Sequence, residues 1–421
     1  MEVKPGYKLT EVGVIPEDWC ASELRKIGKF KNGINKGSEA FGHGHPFVNL
    51  LDVFGVSTIS SSAALGLVDT NNAERNTYDL RKGDVLFIRS SVKPSGVGLT
   101  AVVEENLPKT VYSGFLIRFR DDDALDDGFK RYCFHERRFR NSVIAASSVS
   151  ANTNINQNSL RNLILAVPPT KREQRAISAA LSDVDALLAK LDQLLAKRLQ
   201  IQRAAMQLLP TGKTRLPGFS GEWEKIAFKK RASLKARIGW QALTTAEYLD
   251  SGSHHLVTGT DIVDGRINWA SCHFVDQGRY DQDVHIQLRI GDVLVTKDGT
   301  IGKVGYVQDL PGPATLNSGV FVIRPIGEIF VPRFLFYVLR SRLFDDFLSK
   351  ITAGSTITHL YQKDFVGFEF YAPSMDEQRA IADALFALDV EIATLEARRD
   401  KTLLLKKGMM QGLLTGGIRL I

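Results

Sequence analysis

Two loops at matching places in the chain are rich in small polar side chains. They span Ala145–Ser159 (AASSVSANTNINQNS) and Thr352–Asp364 (TAGSTITHLYQKD). Hydroxyl, amide, imidazole and amino groups of this kind hydrogen-bond to phosphates and to base edges. A single loop of this composition would be interpreted as an ordinary surface loop. Two such loops of different sequence favour nucleic-acid contact, because base readout needs variable side chains on a common scaffold. The candidate residues are Asn152, Thr153, Asn154, Asn156, Gln157, Ser355, Thr356, His359, Tyr361, Gln362 and Lys363.

A second group of candidates follows two copies of the segment Gly-Asp-Val-Leu, at 83–86 and 291–294. Each copy leads into a polar stretch with glycine, which lets backbone N–H groups approach a phosphate closely. The candidates are Arg89, Ser90, Ser91, Lys93, Lys297, Thr300 and Lys303, with Lys36 nearer the N-terminus. Amide side chains pair with adenine in direct readout, and this singles out Asn154, Asn156, Gln157 and Gln362.

The motifs of enzymes and metal sites are incomplete. Residues 209–214 (LPTGKT) resemble a phosphate-binding loop, but Gln207 stands where its first glycine belongs. The Pro-Pro of 166–170 (AVPPT) lacks the flanking residues of an amino-methyltransferase and predicts a helix lead-in. The histidines of 43–45 and 254–255 have no carboxylate or cysteine at a ligand spacing. We therefore expect no catalytic centre, metal or cofactor in this chain.

Composition sets further bounds. A chain of 421 residues exceeds one ordinary core, and 44% hydrophobic with 24% charged residues is typical of globular protein. The net charge of +7 suits a polyanionic partner, although it is mild. Three cysteines without a C-x-x-C pair support neither a disulfide framework nor a cysteine zinc site. The N-terminus lacks an apolar segment, so we expect a cytoplasmic protein without membrane association.

An internal repeat organises the chain. Pro168–Pro217 matches Ala372–Ile421 with a constant offset of 204, and 20 of 50 positions are identical. The identities include Glu-Gln-Arg-Ala-Ile at 173–177 and 377–381, and Thr-Gly at 211–212 and 415–416. Between these segments the similarity is fainter, including Trp19 with Trp223 and the two Gly-Asp-Val-Leu segments. A period near 200 residues indicates duplication of whole domains.

Each repeated segment predicts a helix of about 38 residues, roughly 57 Å long. Apolar residues alternate at spacings of 4 and 3, which is typical of a coiled-coil seam. The seam residues are Ile177, Leu181, Val184, Leu188, Leu191 and Leu195, and then Ile381, Leu385, Leu388, Ile392 and Leu395. We expect the two copies to pack antiparallel with an approximate two-fold relation. The seam is interrupted at Arg198 and Gln202, and at Thr402 and Lys406, which either fixes register or marks a solvent-facing end.

The fold class predicted is α+β: two mixed α/β domains separated by two long repeated helices that form an antiparallel coiled coil. The expected limits are 1–167 and 218–371 for the domains, with helices in 168–217 and 372–421. Predicted strands cover 84–88, 99–103, 114–119, 292–296, 305–307 and 319–323. Predicted helices cover Phe129–Asn141 and Pro332–Lys350. The acidic run 121–127 is expected to be a solvated loop that supplies an N-cap. The apolar run ending in Arg118 is matched with the one ending in Arg324.

These features together resemble the specificity subunit of type I restriction–modification systems over essentially the whole chain. The features are P-x-x-x-E-Q-R-x-I opening a long helix twice, Trp followed by Gly-Asp-Val-Leu in each variable domain, and Thr-Gly at each helix end. The resemblance implies two target-recognition domains that each read half of a split, asymmetric double-stranded DNA site. It also implies that the paired helices act as a ruler.

The resemblance further implies two methyltransferase subunits, which use S-adenosylmethionine on adenine N6, and two ATP-dependent restriction subunits. S-adenosylmethionine, ATP and Mg²⁺ are expected on those partners, with none bound by this chain. One alternative is a non-catalytic coiled-coil scaffold whose variable domains bind protein surfaces. An enzyme with its own nuclease or methyltransferase site is disfavoured by the incomplete motifs.

Overall fold

The computed structural model describes residues 3–238, 243–352 and 359–420. Contacts divide the chain into two units, Met1–Asp192 with Ala397–Ile421, and Gln193–Glu396. Each unit therefore contains one variable domain and part of both repeated segments. No helix among the described residues has the length and hydropathy needed to cross a membrane.

The first variable domain is a mixed α/β structure. Its strands are β1 (Tyr7–Thr10), β2 (Gly13–Pro16), β3 (Cys20–Glu23), β4 (Gly28–Asn32), β5 (Phe41–Val48), β6 (Thr58–Ile59), β7 (Gly66–Val68), β8 (Val85–Ile88), β9 (Ser90–Ser91), β10 (Thr100–Val103), β11 (Val111–Tyr112), β12 (Leu116–Asp121), β13 (Ser148–Val149), β14 (Thr153–Asn154) and β15 (Ile164–Val167). Its helices are α1 (Leu24–Ile27), α2 (Leu50–Val53), α3 (Asn72–Thr77), α4 (Asp127–Cys133), α5 (Arg137–Ala145) and α6 (Gln157–Arg161).

The centre of this domain is a five-stranded sheet in the order β4-β12-β8-β10-β6. Strand β8 carries the Gly-Asp-Val-Leu segment and is buried on both faces. Val85 and Phe87 face one apolar core, and Leu86 and Ile88 face a second one. This alternation explains the continuous apolar run, since a strand covered on both sides needs no polar face.

The second variable domain repeats this architecture. After helix α7 (Lys171–Leu208) come β16 (Glu224–Ala227), β17 (Ala232–Lys235), β18 (His254–Val257), β19 (Ile262–Val263), β20 (Arg266–Ile267), β21 (His273–Val275), β22 (Val293–Thr296), β23 (Val304–Tyr306), β24 (Ala314–Leu316), β25 (Val320–Pro325) and β26 (Glu369–Ala372). The helices are α8 (Phe228–Arg231), α9 (Gln277–Asp281), α10 (Pro332–Leu339), α11 (Arg342–Thr352), α12 (Gln362–Phe365) and α13 (Met375–Leu413).

The central sheet has the order β17-β25-β22-β23, which matches β4-β12-β8-β10 strand for strand. In each domain a smaller sheet includes a parallel pair, β5 with β11 and β18 with β24. A strand just before each long helix pairs with one near the domain's start, β15 with β3 and β26 with β16. The mixed α/β prediction is confirmed, and the duplication extends to segments with little sequence similarity.

The two long helices match their prediction closely. Helix α7 has 38 residues and α13 has 39. Gly212 and Gly416, just beyond their ends, both have φ of 70°, a conformation that glycine adopts without a steric penalty. The seam residues are buried, apart from the half-buried Val184 and Leu388.

The helices run antiparallel within each unit. In the first unit Lys406 pairs with Asp185, and Arg399 pairs with Asp192. In the second unit Arg198 Nε lies 2.8 Å from Glu391 Oε1, and Gln202 donates to Asp389. Three of the four polar interruptions therefore pair across the helices, while Thr402 donates to the carbonyl oxygen of Arg398 on its own helix. This pairing favours a role in register over a fraying helix end.

The repeated Glu-Gln-Arg motif joins the start of one repeated segment to the end of the other. Glu173 is 2% exposed and accepts from Arg419, whose Nη2 lies 3.1 Å from Oε2. Trp19 Nε1 donates to the same carboxylate at 3.3 Å. In the second unit Arg215 Nε donates to Glu377 Oε1 at 2.9 Å. A buried carboxylate is costly without such a partner, so each unit needs residues from both repeats.

The rest of the motif fastens the variable domain. Gln174 accepts from the amide nitrogen of Asp126 at 2.6 Å, and Gln378 accepts from that of Val331 at 2.8 Å. Tyr132 donates to Asp185 at 2.9 Å, as Tyr337 donates to Asp389 at 2.7 Å. Burial raises the pKa of Tyr132 to about 12, and the Asp185 carboxylate adds to this shift.

Two predictions about the variable domains were wrong in part. The helices expected at Phe129–Asn141 and Pro332–Lys350 are each broken into two, α4 with α5 and α10 with α11. The break comes from internal caps, because Glu136 accepts from Phe139 N at 2.9 Å and buried Ser341 accepts from Leu343 N at 3.3 Å.

The acidic run 121–127 supplies an N-cap as predicted, since Asp126 accepts from Gly128 N at 3.0 Å. It is not wholly solvated, however. Asp121 is buried against Lys130, which also lies 2.9 Å from Asp127. The buried ammonium group of Lys130 therefore holds Asp121 and Asp127 against the domain.

We expect Glu173→Gln to destabilise the chain by about 2 kcal/mol, because it leaves the Arg419 guanidinium without its buried anionic partner. The urea unfolding midpoint of the purified chain measures this. Asp183→Asn, an exposed acid on the same helix, is the matched control and should change stability by less than about 0.5 kcal/mol. Equal effects of both substitutions would contradict a stabilising role for the pairing of Glu173 with Arg419.

Candidate nucleic-acid interface

The two polar segments singled out in each domain meet through backbone pairing. In the first domain β9 pairs with β14, so that Ser90 lies opposite Asn154 and Ser91 opposite Thr153. In the second domain an antiparallel bridge joins Asp298 to His359. Sequence reasoning named both segments without predicting that they adjoin. We call the edge formed by these pairs the reading edge of each domain.

Matching hydrogen bonds establish which positions correspond. Ile155 N donates to Arg89 O at 2.9 Å, and Leu360 N donates to Lys297 O at 2.8 Å. Arg89 N in turn donates to Phe115 O, and Lys297 N to Gly319 O, both at 2.8 Å. Ser90 therefore corresponds to Asp298, and Asn154 corresponds to His359. The same backbone carries a hydroxyl and an amide in one domain, and a carboxylate and an imidazole in the other.

The aspartate of each Gly-Asp-Val-Leu segment anchors the strand that leads into this edge. Asp84 is buried and accepts from Arg120 Nε at 2.6 Å and Nη2 at 2.7 Å, and from Arg81 N at 2.8 Å. Asp292 accepts two bonds of 2.6 Å from Arg324 in the same geometry. The match proposed between Arg118 and Arg324 was therefore wrong, and Arg120 is the counterpart. The motif is structural, because each carboxylate is buried and accepts three hydrogen bonds from within its own domain.

Three of the four amides singled out for adenine readout are used within the fold. Asn156 caps α6 by accepting from Ser159 N at 2.9 Å. Gln362 donates to the carbonyl oxygen of Leu234 in β17 at 3.2 Å. With its amide oriented to satisfy both atoms, Gln157 donates to the Phe30 carbonyl oxygen in β4, also at 3.2 Å. The two glutamines occupy corresponding positions and fasten the reading edge to the central sheet.

The fourth amide is differently placed. Asn154 Nδ2 donates to the carbonyl oxygen of Asn152 at 3.0 Å, in an exposed part of the loop. Its Oδ1 has no bond within the described parts of the chain, so it retains an acceptor. Asn154 therefore remains a readout candidate.

The other candidates differ in how far their polar groups are engaged. Lys36 is bonded at 2.6 Å to Glu74, and this bond lowers the pKa of the glutamate. Lys297 lies over the Phe321 ring at 5.4 Å, and Lys363 over Tyr361 at 5.5 Å. Thr153 is buried, whereas Lys93, Asn152, Thr300 and Tyr361 are exposed, and Ser91 and Lys303 are half-buried. Ser355 and Thr356 lie outside the described residues.

A groove of 390 Å³ adjoins the reading edge of the second domain. Its lining includes Thr258, Thr260, Asp298, Thr300, Lys303 and Asn317. Thr258, Thr260 and Asn317 were missed as candidates. A spacing signal was present, because Thr258 N donates to Asp261 at 2.8 Å just as Asn49 N donates to Asp52 at 2.7 Å. The pattern Asn/Thr-x-x-Asp therefore marks one capped turn beside each reading edge.

Comparison with known proteins identifies the family. The family model described as "Type I restriction modification DNA specificity domain" matches residues 16–199 and 260–404. The chain belongs to this family. The resemblance inferred from the sequence is thereby confirmed, and both matched segments include a Gly-Asp-Val-Leu strand and part of a long helix.

Relatives of this specificity family align over nearly the whole chain. The MjaVIII specificity subunit of Methanocaldococcus jannaschii is 22% identical over 96% of this chain and 94% of its own. The putative MjaX specificity subunit of that organism is 24% identical, over 98% and 96%. The fold is also similar to two crystal structures. The S subunit from M. genitalium has a TM-score of 0.58 at 14% identity, covering 98% of each chain. The HsdS subunit from Thermoanaerobacter tengcongensis has a TM-score of 0.52 at 17% identity, covering 96% of this chain and 98% of that one.

The structural and readout amides of this specificity chain should separate in a stability measurement. Gln157→Ala should lower the free energy of unfolding by about 1 kcal/mol, because it removes bonds to the central sheet. Asn154→Ala, three residues earlier, should cost less than about 0.5 kcal/mol because its bond is exposed. Urea unfolding of the two variants checks this. A loss in Asn154→Ala as large as in Gln157→Ala would mean that both amides are structural.

Proposed function

We propose that this chain is the subunit that selects the DNA site of a type I restriction–modification complex, with each domain reading one half of a split, asymmetric site. The observation that carries the proposal is the pair of reading edges. Corresponding main-chain hydrogen bonds present Ser90 and Asn154 in one domain, and Asp298 and His359 in the other. Two readers of unlike half-sites need a shared scaffold with unlike side chains.

The domain limits that we propose are 1–167 and 218–371 for the two target-recognition domains. Residues 168–217 and 372–421 form the helical spacers. The spacer role is supported by the length of α7 and α13 and by their polar pairs, which fix the register of one helix on the other. The candidate contact residues keep the roles given above, with Gln157 and Gln362 positioning the edge.

The chain is proposed to act in the cytoplasm with two methyltransferase subunits and two restriction subunits. The methyltransferase subunits would bring S-adenosylmethionine and the restriction subunits ATP and Mg²⁺. This chain would bind none of these cofactors. Support comes from the family, since the reaction of such a complex must be supplied by subunits other than the one that selects the site. Among the described residues, no group of three or more metal-ligating side chains is placed to hold an ion.

Exchange of one domain tests the modular reading. Cells that make this chain with its neighbouring methyltransferase are analysed by single-molecule sequencing for N6-methyladenine, which should reveal one split motif. Replacing residues 224–370 with the second domain of another family member should change one half of that motif and leave the other intact. The reciprocal replacement of the first domain is the control. A change in both halves, or in neither, would contradict one-domain, one-half-site recognition.

Lengthening the spacer tests its role as a ruler. Seven residues inserted after Asp192 and seven before Arg399 keep every polar pair named above in register, since these two residues pair. The insertion adds about 10 Å of helix, which corresponds to about three base pairs. We expect the gap between half-sites to grow by this amount, or methylation to be lost. An unchanged gap with full methylation would exclude the ruler, and insertion in one helix alone is the control for lost register.

A further inference from the structure

The reading edge of the first domain is bordered by exposed apolar side chains. Leu51 is 80% exposed, Val92 is 82% exposed and Phe115 is 59% exposed. Covering large apolar side chains as exposed as these with another surface is favourable, because it removes apolar area from water. We call these three residues the apolar rim.

Local contacts place each rim residue beside the reading edge. The Phe115 carbonyl oxygen accepts from Arg89 N, at the root of β9, and Val92 directly follows β9. Leu51 lies in α2, which begins after Val48, and the Val48 carbonyl oxygen accepts from Ser113 N at 2.9 Å. Phe115 and Val92 thus adjoin β9 directly, and the segment of Leu51 is joined to that of Phe115 through the bond between Val48 and Ser113.

The corresponding positions of the second domain are not apolar. The bond from Asn317 N to the Val257 carbonyl oxygen, also 2.9 Å, matches Thr260 with Leu51. Gly319 matches Phe115 through the bond to Lys297 N. Val92 lies in a loop of nine residues, 89–97, where the second domain has only five, 297–301, including the exposed Thr300. Here the polar groove stands in place of the apolar rim.

We propose that the first domain recognises thymine in its half-site through the C5 methyl group, which contacts Leu51, Val92 and Phe115. The proposal rests on the proposed function of the chain. In the major groove the thymine methyl is the apolar feature that separates T·A from the other pairs. The second domain would instead rely on hydrogen bonds from its groove.

The difference between domains favours DNA over a protein partner as the occupant of the rim. Two copies of one methyltransferase subunit present the same chemistry to both domains, so a docking surface for them should be similar in both. Among the described residues of the second domain, Thr260 and Gly319 stand where the first domain has Leu51 and Phe115. Unlike half-sites, in contrast, require unlike surfaces at matching positions.

Deoxyuridine substitution tests the proposal, because it removes the methyl group and leaves every hydrogen-bonding atom of the base. The affinity of the purified complex of this chain with its methyltransferase is measured first for a scrambled duplex. It is then measured for a duplex that carries the motif. Each thymine of the half-site assigned to the first domain by domain exchange is then replaced. We expect affinity to fall about fourfold for each contacted methyl group. Replacements in the other half-site should change affinity by less than about twofold.

The variant Leu51→Thr/Phe115→Ala, which keeps only Val92 of the rim, should prefer the thymine duplex over the deoxyuridine duplex less than the wild-type chain does, while it still selects the second half-site. Leu9→Thr, a similarly exposed residue in the β1–β2 hairpin, is the matched control and should keep the wild-type preference. Equal wild-type affinity for both duplexes, or a first half-site without thymine, would overturn the proposal. So would loss of the methyltransferase from the double variant alone, which would show a protein docking surface. Wild-type binding that does not distinguish the motif from the scrambled duplex would instead overturn the proposed function itself.

Discussion

The buried carboxylate at the start of each long helix is the constraint on which each unit depends. Glu173 and Glu377 are almost wholly removed from water, and each is neutralised by an arginine from the other repeated segment. An unpaired charge at either place would lower the free energy of unfolding by several kcal/mol, so the fold requires the pairing. The glutamine beside each glutamate then bonds to the loop before α4 or α10. One short motif thus orients the helix pair and the domain together.

The internal repeat is strong where side chains hold the fold together, and faint at the reading edge, where the side chains can vary. Asp84 with Arg120 and Asp292 with Arg324 hold the central strands in one geometry. Beyond these strands the backbone bonds recur while the side chains change. A scaffold that fixes its main chain by main-chain bonds places little demand on the side chains that project from it.

Much of the fold could be predicted from the sequence, because periodicity and repetition report burial directly. The long helices, their ends and the central strands follow from such patterns. The breaks at Glu136 and Ser341 could not be predicted, since an internal cap looks like an ordinary polar residue within an apolar pattern. Composition likewise marked the polar loops, but it could not separate Gln157, which is bonded to the sheet, from Asn154, which is not. Whether an amide is free depends on residues more than a hundred positions away.

Each unit is completed by residues from both repeats, and this exchange has a consequence for assembly. Leu413 and Leu414 complete the core of the first unit, and Met206 and Leu209 complete that of the second. Each core thus receives its last apolar layer from the other repeat, which is the arrangement of a domain-swapped dimer joined into one polypeptide. In a chain with a single repeat, each core would lack this layer until a second copy of the chain supplied it. Such a pair would be self-complementary and would carry two identical readers, so its natural target would be a palindrome. Duplication followed by divergence lets the two readers differ while the packing within each unit stays alike.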